Sequence, residues 1–233
     1  MQLERMRFYA TPEHECSYLP GQHSKTLFVD PDLIITKDTY SSLSDLGFRR
    51  SGKHLYRPHC DHCSACISVR VPVNEFNPTK RQQRAYRKNS GLTAKVLNAQ
   101  YSEEHYLLYQ NYINGKHADG DMYPPSVEQY KSFLVDGRPE TQFVEFRQGE
   151  QLIMVSVVDK LDHGLSAIYT FYDPESKASL GVYSILWQIE RAKELNMPYV
   201  YLGYWIKSCR KMSYKLEYRP LQLLLDGQWL QCN

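Results

Sequence analysis

Apolar and polar positions alternate with period two over residues 66–73, CISVRVPV, which is the spacing of a strand with one buried face. Before it, residues 26–29 read as a short strand. Residues 36–46 open on Thr-Lys-Asp and read as a helix stopped by Gly47. The rest of the first 58 residues has no sustained period and reads as irregular, with CSYLPGQ a turn, then FRR and a Ser-Gly turn after Gly47. Asn77-Pro78 punctuates, a basic helix runs over 79–90 to Gly91, and 93–98 reads as a strand. Two helices follow, 102–114 with Ser102 as N-cap and 126–134 with Ser126 and Gln129 as a capping box. Between them GKHADGDMYPP is the loosest part of the chain, a candidate substrate loop.

The last third is more regular. Residues 142–146 and 151–159 flank a Gln-Gly turn as an antiparallel hairpin, and 165–172 form a third strand. An amphipathic helix spans 180–195, with Tyr183, Leu186, Trp187, Ile189 and Ala192 apolar and Asn196 stopping it. A strand over 199–205, a helix over 207–217 and a hairpin over 221–225 and 229–231 complete the chain. This order resembles an N-acetyltransferase-like (GNAT) domain and predicts an α+β fold with mixed sheets flanked by helices. Such domains hold an acyl donor where two adjacent parallel strands part, here 165–172 and 199–205. Gly203 inside the second strand marks either a bulge at that point or relief of a clash with a helix. A coenzyme A site calls for a glycine-rich turn before the central helix, and PESKASLGVYS offers only Gly181.

Composition narrows the class. The chain has 233 residues, 42% hydrophobic and 23% charged, as in ordinary globular proteins. MQLERMRFYATPEHE lacks the apolar segment of a signal peptide, and no run is long enough to cross a bilayer, so a cytoplasmic location is expected. The six cysteines are then reduced thiols or metal ligands rather than disulfides. A net charge of +2 excludes a basic nucleic-acid coat and leaves any such partner to local patches.

Three such patches stand out. Across 198–220, Lys207, Arg210, Lys211, Lys215 and Arg219 alternate with Tyr204, Trp205, Tyr214 and Tyr218, a mixture that suits a single-stranded nucleic-acid end and equally an ordinary strand and helix. In KRQQRAYRK, Lys80, Arg81, Arg84, Arg87 and Lys88 share one broad helical face without an acid, as an anion site or a solvated surface. In HCDHCSAC, Cys60, Cys63 and Cys66 recur every third residue. With Cys16 as fourth ligand they could hold an iron–sulfur cluster or zinc, or they could be buried thiols. Cys209 and Cys232 have no partners in sequence. No Ser-His-Asp or Cys-His pattern appears. That fits transfer of an acyl group already activated as an ester to an α-amine, with pKa about 7.7–8.0, which needs alignment and oxyanion stabilisation rather than a nucleophile.

ECSYLPGQ, YRPHCDHCSACISVRVPV, FNPTKRQQRAYRKN, YTFYDP, SLGVYSILWQIERAKEL and YVYLGYWIKSCRKMSYKLEYRPL together resemble the bacterial aspartate/glutamate leucyltransferases, relatives of the eukaryotic arginyl-tRNA–protein transferases, over nearly the whole chain. The resemblance implies transfer of leucine from leucyl-tRNA to proteins with N-terminal Asp or Glu, marking them for degradation. It implies a doubled GNAT-like architecture, with residues 1–98 a degenerate first half and 99–233 the second. Lys207, Lys211 and Lys215, with Lys80, Arg81 and Arg84, become candidate tRNA contacts. Tyr169, Tyr172, Tyr204 and Trp205 would shape the junction where ester meets amine, and Arg57 or Arg70 would receive the acceptor carboxylate. Transfer itself requires no cofactor. The relatives' first cysteine element is Cys-x-x-Cys, whereas Leu19 stands second here, so a cluster at Cys16, Cys60, Cys63 and Cys66 would differ from theirs. Two other readings stand: a coenzyme A-dependent N-acyltransferase, and a non-enzymatic tRNA-binding module.

Overall fold

A computed structural model of the chain describes residues 6–233. The stretch expected to be irregular carries short strands, β1 (Phe8–Ala10), β2 (His14–Glu15) and β3 (His23–Ser24), and the strand expected over 26–29 is β4 (Thr26–Val29). After helix α1 (Lys37–Asp45), N-capped by Thr36, come β5 (Arg49–Ser51) and β6 (His54–Pro58). These form a four-stranded antiparallel sheet in the order β1-β4-β6-β5 and a separate β2-β3 ribbon. Strands of two or three residues are too short to show a period, and pairing across the sheet stabilises them. A small core of Val29, Tyr40, Leu43, Phe48 and Leu55 lies beneath, closed by Leu161 and Tyr201.

β7 (Ile67–Pro72), α2 (Lys80–Lys88), β8 (Thr93–Asn98) and α3 (Glu103–Lys116) fall where the pattern placed them. Thr79 and Gln82 make a reciprocal capping box at the start of α2. The helix expected over 126–134 is α4 (Val127–Tyr130) followed by a π-turn, Lys131–Val135. The Phe133 carbonyl there accepts from the Arg50 guanidinium at 3.3 Å.

β9 (Thr141–Gln148), β10 (Gln151–Lys160), β11 (Gly164–Tyr172), α5 (Leu180–Glu194), β12 (Tyr199–Trp205), β13 (Leu221–Leu225) and β14 (Gln228–Cys232) complete the chain. One eight-stranded sheet runs β14-β13-β7-β12-β11-β10-β9-β8. A division at residue 98 would therefore remove a central strand, β7, and an edge strand, β8. β11 and β12 are the parallel pair; the other neighbours are antiparallel. One face packs on α5 through Phe146, Met154, Leu165, Ile189 and Val200, and α2 lies against α5. The other face packs on α3 and α4 through Tyr109, Tyr130, Phe143, Val157 and Phe171. No helix among the described residues is long and apolar enough to cross a membrane.

The segment 207–217 departs from expectation. It is a 3-10 helix over Arg210–Glu217, not an α-helix. At three residues per turn, positions four apart no longer share a face, so Lys211 and Lys215 separate, and Lys207 lies before the helix begins.

Candidate active site

β11 and β12 run side by side only from Gly164 to Ser166, opposite Tyr199 to Tyr201, and then part. Two bulges mark the parting. Ile168 is the extra residue in β11 opposite β10, and Leu202 the extra residue in β12 opposite β7. Gly203 has φ +82°, in the left-handed region that favours glycine, and its Cα faces the Arg49 guanidinium, which a Cβ there would touch at 3.4 Å. Sequence reasoning missed Arg49. It reaches from β5 into the gap, donating to Ser166 Oγ at 3.0 Å and to the Ala167 carbonyl at 2.6 Å. An arginine in a three-residue strand after a helix stop carries no periodic signal.

The opened gap is a cleft of about 680 Å³. Its walls include Tyr169, Tyr172 and Tyr204, three of the four aromatics expected at the junction. Tyr169 is pushed well above the usual phenol range by burial, and its hydroxyl has no hydrogen-bond partner among the described residues. The Tyr172 ring lies 4.8 Å from that of Tyr112. Tyr204 donates to the Gly47 carbonyl at 2.7 Å and, chiefly through burial, is likewise pushed far up. Trp205 does not join them, because it packs against the α5-side core.

At one end the cleft meets the start of α5. Ser179, in the left-handed conformation, makes no side-chain cap there, and Ser179, Gly181 and Val182 line the wall. An uncapped helix N-terminus presents backbone N–H groups and a positive dipole end. α2 is fastened beside this end: Asn89 donates to the Ala178 carbonyl at 2.7 Å and Lys88 to the Lys177 carbonyl at 3.0 Å. Lys80, Arg81 and Arg84 are all exposed on α2, with Arg81 reaching Glu217 at 3.4 Å. Below, a buried polar ladder runs from Ser156 to Ser184 at 2.7 Å and from Ser184 to Thr170 and Gln188 at 3.0 and 3.1 Å. Gln188 lines the cleft and its Oε1 has no partner among the described residues. It too went unread in sequence, although its spacing from Ser184 is that of two residues on one helical face.

The three lysines of the last basic block separate. Lys207 is exposed beyond the end of β12, and Lys211 stands on the rim of the cleft, paired with Asp119 of the 115–125 loop at 2.8 Å. Lys215 is 7% exposed and lines the interior of the cleft. Its Nζ donates to the Tyr204 carbonyl and would lie 3.6 Å from a Cβ on Gly203. A side chain so placed faces the cleft rather than the outer surface.

A second cavity, about 660 Å³, adjoins the first, and Tyr18, Tyr56 and Tyr204 line both. It holds Arg57, whose guanidinium lies 5.1 Å from the Phe48 ring centroid; no carboxylate among the described residues pairs with it. Arg70 is elsewhere and already engaged. It pairs with Asp45 at 2.9 Å, donates to Gln222 at 2.7 Å and lies 3.6 Å from the Tyr199 ring centroid and 4.2 Å from that of Trp229.

Cys16, Cys60, Cys63 and Cys66 all face this second cavity as free thiols. Burial, followed by Cys60, Cys16 and Cys63 around it, pushes the Cys66 thiol up to about 12. Their softness suits zinc or iron, but among the described residues no three Cys, His, Asp or Glu side chains converge closely enough to hold an ion. As placed, the four thiols line one cavity without forming such a group.

Residues 14–84 match the family described as "Arginine-tRNA-protein transferase, N terminus", and residues 104–225 match "Arginine-tRNA-protein transferase, C terminus". An aspartate/glutamate leucyltransferase of Hahella chejuensis (strain KCTC 2396) is 55% identical, over 98% of this chain and 98% of its own. One from Pseudomonas fluorescens (strain Pf0-1) is 51% identical over 100% of this chain and 99% of its own. Among solved structures, L-PGS from Bacillus licheniformis has a TM-score of 0.52 at 13% identity, covering 72% of this chain and 58% of that one, a likeness of fold alone.

Proposed function

The chain belongs to the arginine-tRNA-protein transferase family, among its aspartate/glutamate leucyltransferases, and from that premise we propose that it moves leucine from leucyl-tRNA to the α-amine of proteins beginning with Asp or Glu. The product would be a degradation signal, and the reaction would run in the cytoplasm. The observation that carries this reading is the cleft where β11 and β12 part, with a basic helix at one end and an arginine-bearing cavity at the other.

The donor end enters beside α2. Lys80, Arg81 and Arg84 meet tRNA phosphates, Lys207 and Lys211 stand at the rim, and the α5 N-terminus receives the last phosphate before the ester. Tyr169 and Tyr172 flank the leucyl ester, with Val182, Ile185, Leu202 and Met212 as apolar walls for its side chain. The unpartnered Gln188 Oε1 accepts from the leucyl α-ammonium.

The acceptor comes through the second cavity. Arg57 receives its Asp or Glu carboxylate, and the α-amine passes Tyr56 and Tyr204 to the ester. Arg70 instead braces β7 against Asp45 and Trp229. The oxyanion that forms on the leucyl carbonyl faces Arg49, whose fixed charge stabilises it. Transfer needs no cofactor, because the ester is already activated. No step involves the cysteines.

The doubled GNAT-like architecture is supported by the four-stranded sheet and α1, a reduced unit beside the full sheet that bears the cleft. A coenzyme A-dependent acyltransferase would need a glycine-rich cradle ahead of α5, and the loop there contains no glycine before Gly181. Parallel incubations of an aspartyl peptide with leucyl-tRNA and with acetyl-CoA separate the two. A leucyl adduct in the first supports the transferase, and an acetyl adduct confined to the second overturns it.

A further inference from the structure

Lys215 is buried, unlike the exposed cations of the same block, and it lies at the point where β11 and β12 have parted. The 3-10 helix holds it beneath the bulge, with its Nζ donating to the Tyr204 carbonyl and close to Gly203. The groups facing it are the Arg49 guanidinium from β5, Tyr204 from β12, the Tyr214 ring from its own helix at 5.8 Å and Cys209 from the preceding turn. No carboxylate among the described residues forms an ion pair with it. A buried ammonium with a cationic neighbour and no counter-ion is disfavoured. Burial first and Arg49 second push Lys215 down to about 7, against a smaller opposing effect of Cys209.

A lysine in this state has the chemistry that aminolysis of an ester calls for, and the histidine that also lines the cleft, His117, is already engaged with the Tyr112 hydroxyl at 3.2 Å and has Lys211 and Asp119 beside it. One N–H of the free amine stays on the Tyr204 carbonyl, which leaves its lone pair for a partner in the cleft that Lys215 lines. Building on the transferase reading above, we propose that Lys215 is the proton-transfer group of the reaction. The acceptor nitrogen bonds to the leucyl carbonyl carbon as the carbonyl electron pair moves onto oxygen beside Arg49. Lys215 Nζ takes the surplus proton from that nitrogen. When the carbonyl re-forms, the bond to the ribose oxygen breaks, and Lys215 returns its proton to that oxygen. An ester and an amine become an amide and an alcohol, and Lys215 ends as it began. Arg49 acts twice, holding the oxyanion and keeping Lys215 free of its proton.

The test is kcat against pH, with leucyl-tRNA and an aspartyl peptide both saturating, for the wild type, Lys215→Met and Lys215→Arg. Lys215 works only when neutral, so wild-type kcat rises as pH climbs through about 7. Both variants lose about 10²- to 10⁴-fold in kcat with KM for each substrate little changed, and the step near 7 disappears from their profiles. Arginine keeps the charge but cannot release a proton, so a purely electrostatic or structural role would leave Lys215→Arg active. Wild-type transfer with a kcat flat through 7 overturns the proposal whether or not the variants fold. So does a folded Lys215→Arg with near-native kcat. A wild-type protein that transfers no leucine overturns the transferase reading itself, and this proposal with it.

Discussion

Arg50 and Asp159 form an ion pair with both side chains entirely out of water, Nε to Oδ2 at 2.7 Å, joining the four-stranded sheet to the eight-stranded one. Asp159 also accepts from Tyr40 at 2.6 Å and Thr141 at 2.8 Å, so its charge is fully compensated. Arg50 donates further to the Gly52 carbonyl at 2.9 Å. The neighbouring Arg49 owes its place in the cleft to this anchorage. Asp159→Asn and Arg50→Met should each lower stability by about 3–5 kcal/mol in denaturant titrations, because each strands a buried partner. A loss below about 1 kcal/mol would show that the pair is dispensable.

The long regular elements were legible in sequence. β12 matched its expected limits, since YVYLGYW is an apolar and aromatic run broken only by Gly203, and β7, α2, β8 and α5 lay within a few residues of theirs. Of the first sheet only β4 was legible, because strands as short as β5 exist only through their partners. The site divided in the same way. Aromatics on long strands, Tyr169, Tyr172 and Tyr204, could be placed in the cleft once the strands were known. Arg49, Lys215 and Gln188 could not, because each acts through a tertiary feature: a short strand, a 3-10 helix, a buried ladder. The family resemblance grouped Lys215 with Lys207 and Lys211, and the 3-10 helix places it inside the cleft instead.

Exposed cations on α2 should govern the affinity for tRNA rather than catalysis. Replacing Lys80, Arg81 and Arg84 with Ala should weaken leucyl-tRNA binding and make log K against log salt shallower by about two, since each phosphate contact contributes about 0.7–0.9 to the slope. Filter binding at several salt concentrations measures it. An unchanged slope would exclude the helix as a phosphate surface.

Arg57 should set the preference for an acidic first residue. Arg57→Ala should lower kcat/KM for aspartyl and glutamyl peptides by about 10- to 100-fold, the value of a charge-assisted hydrogen bond, and barely affect an alanyl peptide. The same substitution at Arg70 should act on thermal stability instead, since its partners are Asp45, Gln222 and two rings. An equal loss on all three peptides for Arg57→Ala would remove it from acceptor recognition.

Gln188 should read the free α-ammonium of the donor. Gln188→Leu should raise KM for leucyl-tRNA by about 10-fold, as expected when a hydrogen bond to a charged group is lost. The wild type should discriminate strongly against N-acetyl-leucyl-tRNA and the variant much less. Equal discrimination by both proteins would place the α-amine elsewhere in the cleft.

The central claim is that this cleft joins a leucyl ester to an acidic N-terminus. Peptides beginning with Asp, Glu or Ala, incubated with leucyl-tRNA and followed by mass spectrometry, test it directly. The expected result is a gain of one leucyl residue on the α-amine of the Asp and Glu peptides and far less on the Ala peptide. No gain on any peptide while the leucyl-tRNA remains intact would contradict it.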